Sequence, residues 1–167
     1  MEISRDGAPA RLRALPTRLV NQVALVANRA TERALEATGS RRYHYALLAA
    51  LGEFGAISQA DLGRRTNIDR SDIVATVNEL ADRGFVERSP DPDDRRRKIV
   101  TITAAGTDHL AELDERLAGA QDELLAGLSS TDRAEFLRLL TRILDLRAGT
   151  PKEVFPQAGG GVRGTNH

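Results

Sequence analysis

Leu12, Leu15, Leu19, Val23, Val26, Ala30 and Ala34 recur at intervals of three and four, which lays one apolar stripe along a long helix beginning near Pro9. Pro16 either kinks that helix or marks its true start. Gly39 is placed to end it. A second helix is predicted from Arg41 to Glu53, with Tyr45, Leu48, Ala49 and Leu51 as apolar positions and Gly55 as its stop. Ile57 reads as a short apolar link. Two short helices follow. Ser58 with Asp61 three residues on forms a capping pattern for the first, which runs to about Arg65. Thr66 and Asn67 form a turn, Asn being tolerant of the left-handed backbone. Asp69 is the predicted N-cap of the next helix, where Ile73, Val77 and Leu80 face inward and Gly84 closes the end.

The period then changes from that of a helix to that of a strand. Phe85 to Arg88 reads as one strand and Lys98 to Ile102 as another, the latter rich in β-branched residues. Between them, Ser89 to Arg97 carries two prolines and a dense run of charge, and is expected to be a loop. Thr103 caps a third long helix, striped by Leu110, Leu113, Leu117, Leu124 and Leu128. Ser129 with Asp132 starts the last, carried by Phe136, Leu139 or Leu140, Ile143 and Leu146. Beyond Gly149 the tail is rich in glycine and is expected to be disordered. The predicted class is mainly α, with a small β component (α+β). The order helix, helix, turn, helix, hairpin over residues 41–102 is that of a winged helix-turn-helix, flanked by long helices at 9–40 and 103–148 and a tail at 149–167.

Composition narrows the chemistry. The 167 residues contain no Cys and no Trp, so disulfides and thiolate metal sites within the monomer are excluded and the core must be aliphatic. The formal net charge is zero, but residues 1–42 carry +4, residues 43–98 carry −1 and residues 99–167 carry −3. This excludes a strongly basic coat protein and leaves room for a local basic patch. No apolar run reaches the roughly 18 residues of a membrane span, and the first residues lack the order of a signal peptide. A soluble cytoplasmic protein with no membrane partner is expected. His44, His109 and His167 are far apart, so no metal site is expected, and no cofactor either. Gly159 to Gly161 lacks the Lys-Ser/Thr of a phosphate loop, and Asp108 and His109 are helix neighbours that do not face each other. No enzyme is expected.

The helix after Asp69 has its buried face set by Ile73, Val77 and Leu80. Arg70, Ser71, Ala75, Thr76 and Glu79 are assigned to the opposite face. A helix presented N-terminus first fits the major groove of B-DNA. Arg70 is suited to guanine or phosphate, Thr76 to a base or phosphate, and Ala75 leaves room for a thymine methyl. Arg95, Arg96, Arg97 and Lys98 follow in succession on the wing. Strand alternation turns only some of them toward a neighbouring minor groove. Another is expected to pair with Asp93, Asp94 or Asp72.

The stretch from Gln59 to Arg96 resembles the MarR family of bacterial transcription regulators. Its most specific part is the wing Asp91-Pro-Asp-Asp-Arg-Arg96, followed by a strand and Ile102-Thr-Ala-Ala-Gly106. The resemblance implies a homodimer held by the first and last two helices, acting as a repressor at a pseudo-palindromic operator in double-stranded DNA. It assigns DNA reading to Arg70, Ser71, Ala75 and Thr76, phosphate contacts to Ser58 and Gln59, the wing tip to Arg95 or Arg96, and the orienting carboxylate to Asp94. Asp72 departs from the family, which often has a neutral residue there. Many such regulators release DNA when a small aromatic or anionic effector binds between dimer helices and winged lobe. The corresponding candidates are Arg18, Asn21, Arg41, His44 and Tyr45. The alternative is a winged-helix protein-interaction module without sequence-specific DNA binding.

Overall fold

A computed structural model of the chain describes residues 9–92, 94 and 97–148. The predicted tail, Asp93 and the wing-tip arginines Arg95 and Arg96 lie outside the described residues. Residues up to Ala126 form one unit, and those from Gly127 another.

In the first unit, helix α1 spans Ala10–Arg13 and α2 spans Pro16–Glu36. Pro16 sits in the first turn of α2, where its missing N–H costs nothing, so it marks a start and not a kink. The predicted stripe is covered only at its C-terminal end. Leu35 is buried, and Ala30 and Ala34 are half-covered where α2 packs on α6 (Ala104–Leu124). Leu12, Leu15, Leu19, Val23 and Val26 are 42–55% exposed. Val20 and Leu25, off the predicted stripe, are 52% and 58% exposed.

Helix α3 spans Arg42–Phe54, α4 Gln59–Thr66 and α5 Arg70–Asp82. Asn67 closes α4 in the left-handed conformation (φ 55°), as its residue type suggested. Leu47, Leu48 and Leu51 of α3, Leu62 of α4 and Ile73, Val77 and Leu80 of α5 meet in one core, each 1% exposed or less. Each such side chain contributes about 1.5–3 kcal/mol on burial. Asp69 holds the N-cap position of α5 but makes no side-chain cap bond, contrary to expectation.

Ile57 and Ser58 are not a mere link. They form strand β1 and pair antiparallel with β3 (Lys98–Ile102), Ile57 opposite Val100. The other edge is β2, Val86–Pro90, one to two residues later than predicted: Phe85 stays outside the strand, while Ser89 and Pro90 pair with Ile99 and Lys98. The edge position explains how the strand tolerates Pro90. The order β1-β3-β2 puts β3 in the middle, where Val100 is fully buried. A two-residue strand carries too little pattern to be read from sequence.

Thr103 caps α6 as expected, accepting the Gly106 N–H at 3.0 Å. In the second unit, α7 spans Ser130–Ala148. Ser129 accepts the Asp132 N–H at 3.2 Å and donates to its carboxylate at 2.6 Å. Leu128 falls between the helices, not on the stripe of α6. Leu139, Ile143 and Leu146 are exposed, with Leu137 and Leu144 beside them. No described helix is long and apolar enough to cross a membrane.

Candidate nucleic-acid interface and adjoining cavity

Helix α5 buries Ile73, Val77 and Leu80 and exposes Arg70, Ser71, Val74, Ala75 and Asn78. Arg70 and Ser71 stand in its first turn, where free backbone N–H groups and the helix dipole favour a phosphate. Thr76 does not belong to this outward face. It is 5% exposed, being three residues from Ile73 and four from Leu80, and so on the covered side. Glu79 is half-buried and also turned from the outward face. Sequence reasoning passed over Val74 and Asn78, although the spacing Ser71, Val74, Ala75, Asn78 was a readable helical row. Asn78 accepts a hydrogen bond from Arg88 of β2, which ties the helix to the hairpin.

At the start of α4, Gln59 is half-exposed, as a phosphate contact requires, but Ser58 is 6% exposed. The Ser58 hydroxyl accepts the Asp61 N–H at 3.1 Å and donates to the Asp61 carboxylate at 2.6 Å. Its hydroxyl is therefore engaged in capping and is not presented to a phosphate. That hydroxyl and Arg64 hold the Asp61 carboxyl below its usual range. Arg97 reaches across from the hairpin, 3.5 Å from the Ser58 hydroxyl and 3.7 Å from the Asp61 carboxylate. Its carboxylate partner is thus on α4, and is neither Asp72 nor Asp94. The Arg97 N–H donates to the Asp94 carbonyl at 2.8 Å, and the Asp91 N–H to the Arg97 carbonyl at 3.0 Å. These bonds close the base of the hairpin tip.

Two buried histidines hold the segment that joins α2 and α3, His44 to α5 and His109 to α6. His44 is 3% exposed. Its Nδ1 accepts the Arg41 N–H at 3.2 Å, so the neutral ring carries its proton on Nε2, which lies 2.8 Å from Glu79 Oε2. The Arg41 guanidinium pairs with the same carboxylate. Burial pushes the His44 imidazole below its ordinary pKa, against the pull of Glu79. Hydrogen bonds from Arg41 and His44 hold Glu79 below the usual carboxylate range. His109 of α6 is 8% exposed, lies 2.8 Å from the Ser40 hydroxyl and stacks on Phe85 with ring centroids 4.3 Å apart. Burial, then the charge of Arg83, lowers its pKa. Arg83, just past α5, donates to the carbonyls of Gly39 at 2.9 Å and Thr38 at 3.0 Å. The sequence held no signal for these ties, whose partners are 35–69 residues apart.

Beside this clamp is a cavity of about 450 Å³. Glu32, Leu35 and Glu36 line it from α2, Ser40, Arg41, Arg42 and Tyr43 from the connection and start of α3, and Asp72, Ala75, Thr76 and Glu79 from α5. Of the five residues expected to form an effector site, only Arg41 lines it. His44 is consumed by the clamp. Tyr45 donates instead to Asp114 of α6 at 2.9 Å, because residues 43 and 45 project from different sides of α3. Arg18 and Asn21 lie in the first turns of α2 and are not part of this lining. Asp72 neither caps α5 nor pairs with a described Arg; it faces the cavity. Among the described residues no cluster of three or more His, Cys, Asp or Glu is arranged to hold a metal.

Comparison with known proteins places this architecture. A MarR family model matches residues 38–97. The HTH-type transcriptional repressor NicR of Pseudomonas putida is 38% identical over 104 residues, 60% of this chain and 64% of NicR. The chain spans just under two thirds of the length of NicR and of two other curated transcriptional regulators that it matches. The crystal structure of a probable transcriptional regulator from Pseudomonas aeruginosa is 31% identical, with a TM-score of 0.72 over 80% of this chain and 99% of that one. The PcaV transcriptional regulator from Streptomyces coelicolor, in complex with its natural ligand, is 28% identical, with a TM-score of 0.70 over 83% of this chain and 97% of PcaV.

Proposed function

The chain belongs to the MarR family, and on that premise we propose that it is a homodimeric transcriptional repressor that binds double-stranded DNA and responds to a small-molecule effector. The observation that carries the reading is the outward face of α5. Arg70 and Ser71 lead it, Ala75 follows, and Arg88 ties it through Asn78 to an Arg-rich hairpin. A helix and wing held in one rigid relation suit adjacent grooves of one duplex. Gln59 supplies a phosphate contact, and Arg95 or Arg96 the minor-groove contact, with Asp94 beside them. In this reading residues 41–102 read the operator, while 9–40 and 103–148 form the dimer.

The exposed aliphatic face of α2 supports the dimer. Its Leu19, Val20, Val23, Leu25 and Val26, with Leu12 and Leu15 just before it, are 42–58% exposed, apolar surface that a monomer in water leaves uncovered. A two-fold axis then sets two half-sites about one helical turn apart. NicR is described as a repressor, and PcaV as a regulator with a natural ligand, which supports repression relieved by an effector. No catalytic step is assigned to the chain, and a DNA ligand places its action in the cytoplasm.

The test is a fluorescence-anisotropy titration against the DNA upstream of its own gene, at two salt concentrations, with wild type and an Arg95→Ala/Arg96→Ala variant. The expected result is tight binding whose salt dependence is reduced in the variant, since each phosphate contact contributes about 0.9 to the logarithmic slope. Absence of sequence preference, both here and in selection from random DNA, would favour the protein-interaction reading.

A further inference from the structure

The cavity between α2, the start of α3 and α5 has a charge pattern opposite to that expected of an anion site. Four carboxylates line it, from Glu32, Glu36, Asp72 and Glu79, against two guanidiniums, from Arg41 and Arg42. Glu79 and Arg41 neutralise each other. Arg42 donates to the side-chain carbonyl of Asn28 at 3.2 Å, which directs its guanidinium toward α2. The remaining balance is negative. An anion entering here would meet Glu32, Glu36 and Asp72 with one Arg to offset them.

A second observation is independent of the charge. Thr76 lines the cavity, is 5% exposed and makes no hydrogen bond with any described residue. The hydroxyl oxygen is not sealed in the core, so it stays open to whatever enters the cavity. The same lining also has an apolar part: Leu35, Ala75 and the ring of Tyr43. A ligand suited to this wall has an apolar body and a hydrogen-bonding cationic head.

We propose that this cavity takes an organic cation, an amine carried on an aromatic or alicyclic body. Its ammonium lies among Glu36, Asp72 and the Thr76 hydroxyl, and its body covers Leu35, Ala75 and Tyr43. The proposal rests on the reading of the cavity as the effector site of a DNA-binding regulator, and it names the ligand class. It also gives Asp72 a use: a carboxylate on the recognition helix is tolerated because it is turned to a cation and not to phosphate. A ligand held by Glu36 of α2 and Asp72 of α5 bridges the proposed dimer helix and the reading helix. Its occupancy therefore bears directly on how α5 is set.

The experiment uses the full chain and two probes with the same ring, 1-naphthylmethylammonium and 1-naphthoate, titrated calorimetrically at neutral pH. The ammonium is expected to bind and the carboxylate not to, at equal concentration. Asp72→Asn should weaken the ammonium roughly tenfold or more, the loss of one charge-assisted hydrogen bond. Thr76→Val, of nearly the same shape, should weaken it severalfold. Melting curves for both variants verify that they fold. Failure of the ammonium to bind, preference for naphthoate, or an unchanged affinity in both variants overturns the proposal. Operator binding is measured on the same preparation without probe. DNA binding with no amine binding leaves the regulator reading intact and removes the cation. Amine binding lost in Asp72→Asn but with no DNA binding supports the cation site and removes the regulator.

Discussion

Gly106 and Gly119 both lie in α6, and the structure predicts opposite outcomes for the same substitution. A Cβ built on Gly106 falls 2.0 Å from the Phe85 carbonyl oxygen and 2.9 Å from Ile102 Cγ1, whereas ordinary contact begins near 3.4 Å. The oxygen is not free to retreat. It accepts the Thr103 N–H at 3.0 Å, and the Thr103 hydroxyl donates to the Gly84 carbonyl at 2.7 Å. Relief therefore requires the start of α6 to move off the root of the hairpin. Overpacking against backbone is placed at the upper end of its usual range, about 3 kcal/mol. Alanine regains about 1 kcal/mol from helix propensity. The net loss of about 2 kcal/mol lowers the Tm by roughly 4–8 °C for a chain of this size. At Gly119 a Cβ meets nothing within 4 Å, so Gly119→Ala should raise the Tm by about 1–4 °C. Thermal melts by circular dichroism at a fixed protein concentration read both. If Gly106→Ala melts at or above wild type, the close approach of α6 to Phe85 is not a determinant of the fold and the reasoning fails.

Three further outcomes follow from the same geometry. His44 and His109 have depressed folded-state pKa values, so the folded chain binds fewer protons than the unfolded one below about pH 6.5. Their contribution is complete above that pH and is lost as pH falls through the depressed values. The Tm should therefore decline on acidification through this window, and less so in His44→Gln/His109→Gln; an equally steep decline in that variant would refute the assignment. Leu19→Glu/Val23→Glu should give a folded monomer by sedimentation equilibrium, since both side chains lie on the exposed face of α2; a retained dimer would place the interface elsewhere. Arg70→Ala should cost about 1–3 kcal/mol in operator affinity, whereas Thr76→Val, buried and turned to the cavity, should alter it by about twofold or less, within the spread of a neutral change. Equal losses in the two would return Thr76 to the DNA-facing side.

Local signals were legible without the fold. The left-handed Asn67, the caps at Ser58 and Thr103, and the inward row Ile73, Val77 and Leu80 each depend on residues within one or two turns of each other. So did the strand Lys98–Ile102, whose β-branched run has no helical reading. The outward row of Ser71, Val74, Ala75 and Asn78 is equally local, since its residues are three or four apart or adjacent on one helix. Strand β1 was not legible, since two residues have no period and its existence depends on the partner Val100.

The sequence alone thus determined which segments are helices, several of their caps, and that a charged hairpin follows α5, because periodicity and capping are short-range. Tertiary structure decided which polar residues are available. Thr76 and Ser58 carry groups able to meet DNA, yet the packing of α5 and the cap of α4 bury them. Arg41 and Glu79, 38 residues apart, meet only because α3 packs on α5, and the carboxylates of α2 and α5 share a cavity for the same reason. Burial and charge at a site are sums over neighbours that the chain brings together only by folding. A list of residue types along the sequence does not contain those sums.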